Sequence, residues 1–145
     1  MKKSVSHICI KIHSIMNQIL NELENNNRLV KNASDLLHIV RNNNRQNLVL
    51  FWFHALCPAC AELIESWYLH GDKDGFLAAG NVLFVQIDRC SMRAFNVGVV
   101  PSMTVLKTAS TAIEPNMFGT QHDVVVHCNT TFSDMQRRFG LTLLR

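Results

Sequence analysis

Leu48-Val49-Leu50-Phe51-Trp52-Phe53-His54-Ala55-Leu56-Cys57-Pro58-Ala59-Cys60 is the stretch that decides the fold. The run Leu48 to Phe53 is apolar at every position and far too short to span a membrane. An unbroken run of this length, rich in aromatic residues, predicts a strand buried on both faces of a sheet. His54 to Leu56 turn the chain, and two cysteines then follow at a spacing of three. From Ala61 to Leu69 the pattern changes to helical, with Leu63, Ile64 and Trp67 on one face. A strand, Cys-x-x-Cys and a helix in that order place the first thiol at a helix N-terminus. There the unpaired backbone N–H groups and the helix dipole favour a thiolate.

Outward from this centre, Ile8, Ile12, Ile15, Met16, Ile19, Leu20 and Leu23 recur at helical spacing over residues 8–24. That predicts an amphipathic helix stopped at Asn25-Asn26-Asn27. Its stripe either packs on the domain's flank or offers itself to a partner or a second copy. Arg28 to Lys31 reads as a short edge strand, and Ser34 as the N-cap of a helix over 35–41 with Asp35 in its first turn. Gly71 to Gly80 is turn-rich. Val82 to Ile87 predicts a second buried strand, Ser91 to Asn96 a short helix, and Met103 to Leu106 a third strand. Weaker strand signals follow over Thr111 to Phe118, where Pro115 argues for an edge or bulge, and at Val124 to Val126. Thr131 to Phe139 reads as a final helix.

The chain has 145 residues, 48% of them hydrophobic and 17% charged, enough for one domain with a substantial core. Its net charge of +3 is spread along the sequence, with no basic stripe and no stacking aromatics, so a nucleic-acid partner is not expected. Nor is a membrane partner, because no apolar run reaches spanning length. The opening Met1-Lys2-Lys3 imitates a secretion signal only faintly, since His7, Lys11 and His13 interrupt the apolar region. Five cysteines (Cys9, Cys57, Cys60, Cys90 and Cys128) make an odd set with one closely spaced pair. That suits a reducing, cytoplasmic setting better than a disulfide framework.

With these pieces in order, the chain resembles the thioredoxin-like superfamily. The carriers are Val49 to Phe53 leading into Cys57-Pro58-Ala59-Cys60, then Phe84 to Asp88, then Val97 to Pro101 and Ser102 to Leu106. The resemblance implies an α/β fold, a mixed four- to five-stranded sheet flanked by helices. It covers residues 28–145, with 1–27 an added N-terminal helix. It also implies a cis bond before Pro101 beside the cysteines, with Val100 offering its backbone to an extended substrate. Three departures stand out. Leu56 replaces the usual aromatic before the first cysteine, Phe51 stands where thioredoxins bury an acid, and the proline after the second cysteine is missing. Proline directly after the first cysteine is instead similar to glutaredoxins and periplasmic oxidases.

The expected function is thiol–disulfide exchange on protein disulfides. Cys57 attacks, Cys60 resolves, Val100 and Pro101 bind substrate, and Pro58, Ala59 and His54 support the pair. No cofactor is expected, and electrons would come from a reductase or from glutathione. A zinc site assembled from the pair with Cys90, His127 or Cys128 matches no familiar spacing, so no metal is expected. His54 either takes the proton from Cys60 or stabilises the Cys57 thiolate, or it is only a polar cap at a strand end. Cys9, Cys90 and Cys128 read as small buried hydrophobes, and Trp52, Phe53 and Trp67 as core. The competing expectation is a binding or adaptor module of the same fold with little redox turnover.

Overall fold

The structure, a computed structural model, describes residues 15–42, 48–70, 82–106 and 124–125. In chain order the elements are α1 (15–25), β1 (Leu29–Val30), α2 (Ala33–Arg41), β2 (Leu48–Phe53), α3 (Pro58–His70), β3 (Val82–Gln86), α4 (Arg89–Ala94), β4 (Ser102–Leu106) and β5 (Val124–Val125). The strands form one open mixed sheet in the order β1-β3-β2-β4-β5. β1 and β2 both run parallel to β3, while β4 is antiparallel to β2 and to β5. A parallel neighbour such as β3 needs a crossover, and α3 lies within that connection.

β2 is the middle strand and all of its residues are buried. Alternation sends Val49, Phe51 and Phe53 into one core and Leu48, Leu50 and Trp52 into the other. The first core is closed by Met16, Ile19 and Leu23 of α1 and by Leu63, Ile64 and Trp67 of α3. The second is closed by Leu36 and Val40 of α2 and by Phe95 and Val97 after α4. Helices therefore cover both faces, which is why the strand carries no polar alternation. Phe51 anchors the first core, its ring 5.2 Å from Trp67 and 5.4 Å from Phe84. Trp52 anchors the second, packing on Phe95 at 5.5 Å and donating its indole N–H to Thr104 Oγ1 at 2.8 Å.

Over its described length, α1 turns its stripe inward against the domain's own core. Tyr68 of α3 donates its hydroxyl to Glu22 Oε1 at 2.9 Å, and Gln18 Nε2 reaches the same hydroxyl at 3.4 Å. Ile8 and Ile12, also read into this stripe, lie outside the described residues. So do the expected turn over 71–80, the strand over 111–118 and the helix over 131–139.

Helix ends follow local hydrogen bonding. The predicted Ser34 cap is corrected to Asn32, whose extended backbone lets Oδ1 accept from Asp35 N–H at 2.8 Å. Asn32 Nδ2 in turn meets Asp35 Oδ2 at 2.8 Å, a reciprocal arrangement that Ser34, one residue from Asp35, cannot make. The helix predicted over 91–96 starts at Arg89 instead, because Asp88 Oδ1 takes the Ser91 N–H at 2.8 Å. Asn27 and Asn96 end α1 and α4 in the left-handed region, at φ 58° and 59°. Each completes the same pair of closing bonds. Arg28 N–H reaches Leu23 O at 2.8 Å and Asn27 N–H reaches Glu24 O at 3.1 Å, while Val97 N–H reaches Met92 O at 2.8 Å and Asn96 N–H reaches Arg93 O at 3.2 Å. Asn32→Ala is expected to cost about 1 kcal/mol in a urea titration, and Asn32→Asp should recover only part of that, because its carboxylate can accept from Asp35 N–H but repels the Asp35 carboxylate that Asn32 Nδ2 now meets.

Candidate dithiol site

β2 and β3 end side by side, with Phe53 opposite Gln86 and Ile87 N–H donating to Phe53 O at 2.9 Å. β4 begins at the same end of the sheet, Ser102 facing Trp52. The turn after β2, the start of α4 and the Val100-Pro101 step therefore share one end of the sheet. In open sheets of this kind, sites form beyond the carboxyl ends of the parallel strands.

The turn is built by its own backbone and by one side chain. Cys57 N–H donates to His54 O at 3.1 Å, and Leu56 N–H donates to His54 Nδ1 at 3.0 Å. Cys57 is then the cap of α3: its carbonyl accepts from Ala61 N–H at 3.0 Å and its Sγ accepts from Cys60 N–H at 3.3 Å. The sulfur thus fills the place a serine or aspartate oxygen takes at an ordinary N-cap. Pro58 follows at the first helical position, where no N–H is needed.

The two cysteines have different surroundings. Both are free thiols, Cys57 half-buried and Cys60 0% exposed. Burial first, and then the hydrogen bond with the Cys57 sulfur, push the Cys60 thiol up to about 12 from 9.0. The folded chain therefore keeps a proton that the unfolded chain loses above pH 9. This contribution to stability is complete below pH 9 and is lost as pH rises towards 12. Cys60→Ala should flatten that decline in denaturation midpoints measured across the window. An equally steep decline in the variant would assign it to other groups.

His54 is half-buried, and its Nδ1 is occupied by the Leu56 N–H. With Nδ1 accepting, the neutral ring carries its proton on Nε2 and has no lone pair left for a thiol. The geometry is that of a residue closing the turn.

Pro101 is buried and Val100 half-buried, and the bond between them is cis. Val100 packs against both cores, and Cys57 packs against the first of them. Pro58 and Ala59 are exposed beside the thiol. Leu56 is 73% exposed and Val99 is 42% exposed, so this end of the sheet presents apolar side chains to solvent. In the sequence, Leu56 stands out only as a missing aromatic. Its place between a turn and a helix cap, outside any alternation, was the available signal.

Cys90 corrects the expectation of a buried hydrophobe, because it is exposed. With α4 starting at Arg89, the buried positions around it fall to Ile87, Phe95 and Val97. Nearby, the Ser91 N–H holds the Asp88 carboxyl below its usual range. Cys9, His127 and Cys128 lie outside the described residues. Among the described residues no three His, Cys, Asp or Glu side chains gather as a metal site, and no helix is long and apolar enough to cross a membrane. Compared with known protein families and with curated proteins, the sequence matches none.

Proposed function

We propose that this chain is a thiol–disulfide oxidoreductase of thioredoxin-like fold that acts on protein disulfides. The observation that carries the reading is the asymmetry of the pair. A reachable sulfur caps a helix and accepts a backbone N–H, and a sealed thiol stands one turn behind it. A hydrogen bond donated to sulfur is stronger when the sulfur is charged, which suits Cys57 to attack.

In the forward direction the Cys57 thiolate attacks one sulfur of a substrate disulfide. The substrate S–S bond breaks, a mixed disulfide forms, and the departing thiolate takes a proton. Cys60 then attacks Cys57 Sγ. The intramolecular disulfide forms, the second substrate sulfur leaves, and two electrons have passed to the substrate. A protein reductase or glutathione would return the pair to the dithiol. Val100, two residues before β4, offers backbone to an extended substrate segment. Exposed Leu56 and Val99 favour apolar flanking residues on that segment. The odd cysteine count with one closely spaced pair fits a reducing, cytoplasmic setting.

The test is reduction of insulin by the pre-reduced full chain, followed by precipitation of the freed B chain, together with the redox potential of the pair. Turnover above the reductant-only control supports the reading. A well-folded protein with no turnover would instead support a second reading, a binding module. The observations behind that reading are the apolar tip and a Cys60 thiol with a strongly raised pKa.

A further inference from the structure

The Cys60 side chain belongs to a core cluster whose other buried members from the sheet are Val49, Phe51, Phe53, Val82, Phe84, Met103 and Val105. From the helices, that cluster has one other buried residue that titrates, Tyr68. Tyr68 lies eight positions further along α3, about 12 Å by helix rise, and its hydroxyl is given to Glu22. Glu62 is exposed and Glu65 half-buried on the same helix, outside the cluster. His54 has its Nδ1 closed by Leu56. Among the described residues, the polar contacts of the Cys60 thiol are therefore the Cys57 sulfur and nearby backbone.

This arrangement bears on the second chemical step. Cys60 attacks as it gives up its proton, and its complete burial among apolar side chains holds that proton on. When Cys57 is bonded to substrate, its charge and its hydrogen bond no longer oppose ionisation. Burial, the largest cause, remains. Among the described residues, that cluster holds no side chain beside Cys60 that could take the proton.

Resting on the oxidoreductase reading, we propose that resolution is the slow step, and that the protein holds its protein substrates as long-lived mixed disulfides at Cys57. The proton of Cys60 leaves with the departing substrate thiolate. The Cys57–Cys60 bond forms as the Cys57–substrate bond breaks, so the substrate sulfur departs as a thiol. Between the two events the chain is covalently attached to its partner. It thus acts as a capture device whose release waits on one buried proton.

The probe is a synthetic peptide dimer joined by a single disulfide with apolar flanking residues. It is mixed with the reduced full chain, quenched in acid at intervals and read by intact mass. The expected result is an adduct in the parent protein that decays at least tenfold more slowly than it forms. Its early population should match that of Cys60→Ala, which cannot resolve. Immediate conversion to the intramolecular disulfide, with adduct accumulating only in Cys60→Ala, would overturn slow resolution and leave the oxidoreductase reading standing. No adduct in either protein would overturn both. Cys57→Ser must form none, or the adduct is at another cysteine and the proposal fails.

Discussion

Cys57→Ser is expected to reduce insulin no faster than the reductant alone, a loss of at least about a hundredfold. Serine keeps the shape and the cap, because its hydroxyl oxygen can accept the Cys60 N–H that Cys57 Sγ accepts now. The variant should therefore unfold within about 0.5 kcal/mol of the parent, which separates lost chemistry from lost structure. What it lacks is a sulfur nucleophile able to form a bond to substrate sulfur. Cys60→Ser is different in kind. It keeps the attacking atom, completes the first half-reaction once, and remains attached to its substrate. Full turnover by the Cys57 variant would move the chemistry to another thiol, and exposed Cys90 is the first to examine.

Trp52→Ala is expected to be the most damaging single substitution among the described residues. The side chain is 0% exposed on the central strand, packs on Phe95, and donates to a Thr104 hydroxyl that is itself buried. Removing it loses about 3–5 kcal/mol through the cavity alone. The unpaired Thr104 oxygen adds about 1–3 kcal/mol. Against a total stability of about 5–15 kcal/mol, such a loss removes a large part of the margin, so the variant should unfold at a far lower urea midpoint than the parent. Trp52→Phe retains most of the ring packing and should lose only the part due to the hydrogen bond. Urea midpoints for the two variants, with unchanged slopes for Phe, would check this. A midpoint for Ala close to that of Phe would mean that the second core collapses around the gap.

The parts of this fold that could be read in advance are those with one physical cause. Leu48 to Phe53 is apolar without alternation because both sides of β2 are covered, and the sequence says so residue by residue. The start of α3 is equally plain, since Cys57-Pro58 leaves few other backbone choices. The Asn25-Asn26-Asn27 break is seen as Asn27 taking the left-handed turn. Caps were harder because the competing residues are chemically alike. Asn32 and Ser34 both cap helices, and only the reciprocal bond with Asp35 separates them. Cys90 reads as buried from its residue type alone, and that carries no information on which side of α4 it falls. The order of the strands depends on pairing between distant segments, which local pattern does not carry. The role of His54 turned on a single ring nitrogen, and no spacing in a sequence reveals which partner that nitrogen finds.

The link from Tyr68 to Glu22 and Gln18 means that the opening helix cannot be trimmed away as an appendage. A shortened chain beginning at Arg28 would strip one wall from the helix that carries both thiols. It would uncover the part of the first core that Met16, Ile19 and Leu23 close. Such a fragment would tend to clump with its own copies, and its thiols would sit on a loosened support.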